Sequence, residues 1–230
     1  MGRLRHVDWR RLLLLLAGGV LIGLVWNQSY FKPIRLFVVL LHELSHAFAA
    51  RATGGGVAEV QLFLNEGGLT RTYGGSPFWI LNAGYLGSLF WGGLLLLGAG
   101  RYGVARSLAI GMGVLLLGVT VLYVRSGVGI LVGWGFGGFL LLAGALFRRE
   151  VVAWSVGLIG LSSCLYAVYD ILSDVLLRPE APSDARMLAE RVAFPPLLSP
   201  TGRTIFWGGL WTAISLAFSL WVLGRSVSRR

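Results

Sequence analysis

Charged residues are scarce in this chain: of its 230 residues, 13% are Asp, Glu, Lys or Arg and 56% are hydrophobic. A soluble domain carries roughly 25% charged residues, and the mean hydropathy here is +0.74. This composition excludes an ordinary soluble protein and predicts an integral membrane protein in contact with the lipid bilayer. It also makes each ionisable residue inside an apolar segment informative, because charge is costly at membrane depth and marks a functional site there.

Cysteine and lysine are almost absent, since Cys164 and Lys32 are the single members of their kinds. One cysteine excludes an internal disulfide, and its apolar neighbours predict a small buried side chain. The net charge of +10 therefore comes from arginines, which lie mainly between apolar segments and at the chain ends. That pattern is typical of loops that anchor helices against anionic headgroups. No segment offers the folded basic face that nucleic acid requires, so we expect no nucleic-acid partner.

Seven apolar segments, each close to the ~20 residues that a bilayer needs, predict an all-α polytopic membrane protein with about six to seven transmembrane helices. They run over residues 12–26, 33–51, 77–99, 104–124, 127–147, 151–177 and 204–224. The first lacks a cleavage site and is interpreted as a retained helix. We expect a single integral membrane domain over 1–230, with its core at about 33–178, a polar loop at 178–203 and a C-terminal helix at 204–224. No separate regulatory domain is evident.

Two segments do not match a membrane-spanning helix. Residues 57–73 form two short alternating runs around a glycine-containing turn, which predicts a short β-hairpin after the second helix. Its exposed edge could hold an extended substrate strand, although a simple connection between helices explains the pattern equally well. Residues 178–203 are polar, and Ser183 predicts the N-cap of a short helix that runs to Arg191.

The second apolar segment contains His42-Glu43-Leu44-Ser45-His46. Two histidines four residues apart share one face of a helix, which suits two ligands of one Zn²⁺. The adjacent Glu43 suits a general base that takes a proton from water. The alternative is a chance pattern, in which the histidines form hydrogen bonds to neighbouring groups. In a helix buried in lipid, however, all three polar side chains would each need such a partner. We therefore predict a zinc site with Glu43 as its catalytic residue.

A catalytic zinc site needs a third protein ligand, and the other acids inside apolar segments are Asp170 and Asp174. His42 precedes Arg51 by nine residues, and Asp170 precedes Arg178 by eight. At about 1.5 Å per residue, both lie roughly 12–14 Å below a segment border, and four intervening crossings put those borders on the same side. Asp170 is the predicted ligand. Asp174 is the alternative, and it also suits a partner for a histidine N–H.

These residues resemble the site-2 protease group of intramembrane zinc metalloproteases, specifically its compact bacterial M50B-like branch, over roughly residues 33–200. The resemblance implies hydrolysis of peptide bonds in transmembrane protein substrates, in a multi-pass protein of the bacterial inner membrane. The L-D-G type sequence of larger members is incomplete around Asp170, and no PDZ-like insertion is present. The motifs that carry the resemblance are His42-Glu43-Leu44-Ser45-His46-Ala47, Thr53-Gly54-Gly55-Gly56, Gly74-Gly75-Ser76, Asn82-Ala83-Gly84-Tyr85-Leu86-Gly87-Ser88, Tyr169-Asp170 and Ser183-Asp184-Ala185.

Two other functions use the same polar cluster. A transporter would require polar residues spread through the membrane depth, whereas here they gather at one level. A non-proteolytic scaffold would tolerate Glu43→Gln, whereas a protease would lose cleavage and keep zinc. Asn82, polar among apolar neighbours, is a candidate for positioning substrate, and bonding to an adjacent helix is the commoner role of such a residue.

Overall fold

The computed structural model describes residues 7–228, apart from the side chain of Asp174. Six helices in this part are long and apolar enough to cross a membrane, which confirms an all-α polytopic fold with a short hairpin. The first helix has 17 residues and is shorter than those six. The elements are α1 (Trp9–Val25), α2 (Lys32–Ala52), β1 (Gly56–Leu62), β2 (Gly68–Tyr73), α3 (Pro77–Gly98), α4 (Tyr102–Tyr123), α5 (Gly127–Leu146), α6 (Arg149–Asp170), α7 (Asp184–Arg191) and α8 (Pro200–Val227).

Helix α2 lies at the centre of the bundle. Pro33 occupies its first turn, where the missing N–H costs nothing. In the most apolar 18-residue stretch of this helix, 78% is buried inside the protein, the largest share among the six helices that could span a membrane. The helix ends at Ala52 with Thr53 as its C-cap, and Gly54 follows with φ +84°, a conformation that favours glycine. The pentapeptide of the sequence therefore lies in the protein interior, away from lipid.

The hairpin folds back along α2. Strands β1 and β2 pair antiparallel, and Val60 of β1 also pairs with Val124 after α4. At the turn of the hairpin, both carboxylate oxygens of Glu66 accept from the Arg35 guanidinium, at 2.8 and 2.7 Å. Arg35 is 7% exposed, so this bidentate ion pair holds the turn against the first half of α2. β1 thus has neighbours on both edges, and the outer edge of β2 is the exposed one.

Helix α3 packs closely against both α2 and α6, and α8 packs on α3 and α7. Where α3 crosses α6, Gly92 and Gly160 leave no room for a side chain, because a Cβ on Gly160 would lie 2.8 Å from the Gly92 carbonyl oxygen. After Asp170, α6 continues as a π-helical turn over Ile171–Leu176. Its buried Ile171 packs in one apolar cluster with Leu188 of α7 and with Trp211 of α8. The polar segment 178–203 therefore returns to the bundle instead of standing apart from it.

Candidate metal centre

Helix α2 places His42 and His46 one turn apart on the same face. Their ring centroids are 4.8 Å apart, and their side chains are 12% and 8% exposed. The His42 ring also lies edge-on to Tyr85 of α3, at 4.8 Å. The two imidazoles predicted from the sequence are thus buried side by side in the gap between α2 and α3.

The carboxylate nearest to both imidazoles belongs to Asp184, the first residue of α7. Its Oδ2 lies 2.9 Å from Nε2 of His42 and 3.1 Å from Nε2 of His46. Ser183 caps α7 by accepting a hydrogen bond from the backbone N–H of Arg186, which confirms the predicted N-cap. This cap fixes the start of the helix at Asp184. The three ligand atoms lie within 4.8 Å of one another.

Asp170, the third ligand predicted from the sequence, is not a member of this group, whose carboxylate belongs to Asp184. Asp170 follows Tyr166 by four residues and shares its helix face. Tyr166 packs on Trp26, the residue that follows α1, with ring centroids 5.6 Å apart, and Tyr169 packs on the same ring at the same distance. The side chain of Asp174 lies outside the described part of the structure, so the alternative ligand stays a prediction.

The donor set fits Zn²⁺. Two imidazole nitrogens and one carboxylate oxygen are the ligands of many catalytic zinc sites, and bonds of 2.0–2.1 Å in a tetrahedron put neighbouring ligand atoms about 3.3 Å apart. The carboxylate–imidazole distances of 2.9 and 3.1 Å are close to that spacing. The other ring nitrogen of His46 lies 2.7 Å from the Ile80 carbonyl oxygen. Donation to this carbonyl fixes the tautomer that leaves Nε2 free for a metal.

Gly84 of α3 allows the three ligands to meet. A Cβ at this position would overlap Nε2 of His42 and would lie 2.7 Å from Oδ2 of Asp184. The backbone of α3 therefore forms one wall of the site, and any larger residue would enter the space that the ligands share.

The carboxyl group of Asp184 is held in its ionised form. Burial alone favours the neutral acid, but the charge of a protonated His46 and hydrogen bonds from both histidine rings, which a bound metal would replace, outweigh it and lower the pKa of Asp184 below its ordinary value. At neutral pH the group is a carboxylate, the form that a metal ion requires from this ligand.

Glu43, the predicted general base, faces the hairpin. Its side chain is buried, with the residue 5% exposed, and the hydroxyl of Thr70 on β2 lies 2.7 Å from its Oε2 and 2.9 Å from its backbone carbonyl oxygen. The hydroxyl donates to these acceptors and fixes the carboxylate against the strand. Gly68 is needed beside it, because a Cβ there would overlap the carboxylate. The hairpin and the base are thus in direct contact, a relation that the sequence did not reveal.

Comparison with known families now supplies an assignment. The family profile described as Peptidase M50B-like matches residues 15–222. The chain belongs to this family. No curated protein and no solved structure matches it. Membership in an M50 peptidase family, together with the helices long and apolar enough to span a bilayer, assigns a multi-pass membrane protein of the metalloprotease type.

In this M50B-like protein, Asn82 contacts a helix neighbour. Its Nδ2 donates to the Phe78 carbonyl oxygen at 2.7 Å, and its Oδ1 accepts from Nε1 of Trp211 at 2.8 Å. The bond to Phe78 lies within α3, and the bond from Trp211 joins α3 to α8, the alternative role that the sequence allowed. Positioning of substrate by Asn82 stays a prediction.

A polar network outside the site fixes α7, and hence Asp184. Arg186 donates to Glu190 at 2.7 Å and to Glu180 at 3.3 Å, and Glu180 also accepts from Thr201 at the start of α8. The arrangement ties the helix that carries the third ligand to α8. Two features of the sequence pointed to the helix that carries Asp184: the resemblance of Ser183-Asp184-Ala185 to a family segment, and the predicted N-cap at Ser183.

Proposed function

We propose that this protein is an intramembrane zinc metalloendopeptidase in which His42, His46 and Asp184 hold the metal and Glu43 is the general base. The observation that carries the proposal is the meeting of these ligand atoms, within 4.8 Å of one another, inside an apolar helical bundle. Membership in the M50B-like family supports it.

A bound Zn²⁺ would supply Lewis-acid polarisation of water and of the scissile carbonyl. Glu43 takes a proton on its carboxylate as water attacks, and then delivers it to the leaving amine nitrogen. Thr70 holds one carboxylate oxygen of Glu43, which leaves the other oxygen to exchange the proton. The Ile80 carbonyl keeps the His46 ring in its orientation throughout.

The outer edge of β2 is a candidate site for the substrate strand. A helical substrate keeps its carbonyls hydrogen-bonded and must unwind before attack. An extended segment paired with an exposed strand edge satisfies its backbone groups by β-augmentation. β2 suits this role because Thr70 of the same strand bonds Glu43, so an adjoining strand would lie beside the base.

The expected partners are transmembrane protein substrates and the surrounding lipid. The resemblance to compact bacterial members supports placement in a bacterial inner membrane. An ion pathway is less well supported, because the grouped ionisable side chains are gathered at one level between α2, α3 and α7 instead of being spread along the bundle.

The test is Glu43→Gln, measured by cleavage of a single-pass membrane substrate in liposomes and by zinc content. We expect cleavage to fall by roughly 10²–10⁴-fold, the usual contribution of a general base, while zinc stays bound. Glu150→Gln, at the exposed start of α6, is the matched control and should cleave normally. A Glu43→Gln protein that cleaves as fast as the wild type would refute the assigned chemistry, and a wild type without zinc would refute the metal site.

A further inference from the structure

A cleft of about 550 Å³ lies between α1, α6 and the turn from α3 to α4. This volume is within the range of about 300–1,000 Å³ that is typical of small-molecule sites. No residue of the candidate metal centre lines it.

The cleft exists because α1 touches the bundle mainly at its two ends. At its start, the backbone N–H of Asp8 donates to the Val227 carbonyl oxygen at 2.8 Å. Near its other end, Trp26 packs on Tyr166, and Ile22 is the one buried residue of the helix. Between these contacts α1 comes close to α6 at Gly18, where a Cβ would lie 3.5 Å from the Leu161 side chain. The apolar walls of the cleft include Leu14, Leu15, Leu158 and Leu161.

The mouth of the cleft is cationic. Arg10 and Arg11 line it, and the Arg11 guanidinium lies against the α3–α4 turn, where a Cβ on Gly100 would be 2.6 Å from one of its nitrogens. Arg101, the next residue of that turn, is exposed. Asp8 also lines the mouth, and its carboxylate accepts from the backbone N–H of Arg11 at 3.1 Å, so it offsets part of this charge.

Two aromatic residues, Tyr102 and Trp154, complete the lining at the same end. Such amphipathic rings favour the headgroup level of a bilayer. The cleft thus has cations and aromatic rings at its mouth and aliphatic walls below. These surfaces complement a phospholipid, whose phosphate would lie at the mouth and whose acyl chain would lie between the walls.

We propose that this cleft binds one anionic phospholipid, with its headgroup at Arg10 and Arg11 and an acyl chain between α1 and α6. The lipid fills the gap that the two contacts at the ends of α1 leave open. Charge complementarity selects an anionic lipid over a zwitterionic one of the same chain length, since surface arginines attract anionic headgroups.

The experiment uses the full-length protein in detergent, titrated with phosphatidylglycerol or with phosphatidylcholine of identical chains, and detects bound lipid by native mass spectrometry. We expect one phosphatidylglycerol to be retained, and about thirty-fold weaker binding in the double variant Arg10→Gln/Arg11→Gln, which corresponds to about 2 kcal/mol. Arg10→Lys/Arg11→Lys should keep the preference for the anionic lipid.

The matched control is Arg148→Gln/Arg149→Gln, which removes two exposed arginines at the start of α6 that do not line the cleft. It should bind phosphatidylglycerol like the wild type. Equal losses in both double variants would mean general surface attraction and would overturn the proposal, as would equal binding of the two lipids by the wild type. Unchanged melting temperature without lipid shows that the variants are folded. The measurement does not depend on cleavage or zinc, so it tests the cleft independently of the proposed protease function.

Discussion

Replacing Asp184 by alanine removes the carboxylate that the structure places against both histidines, at 2.9 and 3.1 Å. Zinc sites with four ligands bind with apparent free energies of roughly 10–16 kcal/mol, so one ligand accounts for about 3 kcal/mol. Its loss should weaken zinc binding by about two orders of magnitude. A water molecule that replaced the carboxylate would restore only part of the zinc-binding free energy, because the two imidazoles stay fixed in a site that was shaped for three protein ligands.

The assay is zinc affinity of the purified protein, measured by competition with a chromophoric chelator. Asp170→Ala is the matched comparison, because it removes the same group from the helix face that packs toward α1. We expect Asp184→Ala to lose zinc and Asp170→Ala to keep wild-type affinity. The reverse pattern would refute the placement of the third ligand on α7. A loss in Asp174→Ala with none in Asp184→Ala would instead support the alternative from the sequence.

Three further outcomes follow from contacts around the site. Gly84→Ala should weaken zinc binding in the same competition assay, because the added methyl enters the space between the ligands, whereas Gly103→Ala, which meets no atom within 4 Å, should not. Thr70→Val should lower kcat about tenfold or more, since a hydrogen bond to a charged group is worth about 1.5–3 kcal/mol. Thr70→Ser should keep the wild-type kcat, and neither variant should change the zinc content. An equal loss of kcat in Thr72→Val would contradict a specific role of the Thr70 hydroxyl. Glu66→Met should lower the melting temperature, because it leaves a buried arginine unpaired; an unchanged melting temperature would show that the hairpin turn is not held by this pair.

Much of the fold was predictable because its helices follow directly from hydrophobic length. The predicted segment 77–99 corresponds to Pro77–Gly98, and 127–147 corresponds to Gly127–Leu146. In a bilayer a helix must be long and apolar, so composition alone sets its bounds within a few residues. The two histidines and Glu43 were identifiable for a related reason, since ionisable residues stand out in an apolar segment.

The position of Asp184 beside the two histidines was not predictable by the same reasoning, because the polarity of residues 178–203 suggests exposure to water. Counting residues from the segment border gives a height along α6, but it gives no direction around the helix axis. What brings Asp184 inward is a tertiary contact: Ala185 and Leu188 share its buried face and pack on the π-helical turn that extends α6. The bond from Thr70 to Glu43 was equally hidden, since the path of the hairpin along α2 depends on contacts far apart in sequence.

The most direct test of the central claim is to locate the metal in the zinc-loaded protein by anomalous diffraction at the zinc absorption edge. We expect one peak bonded to Nε2 of His42, Nε2 of His46 and a carboxylate oxygen of Asp184, within reach of a water beside Glu43. A peak elsewhere, or one that is bound by the two histidines while α7 lies away from them, would contradict it.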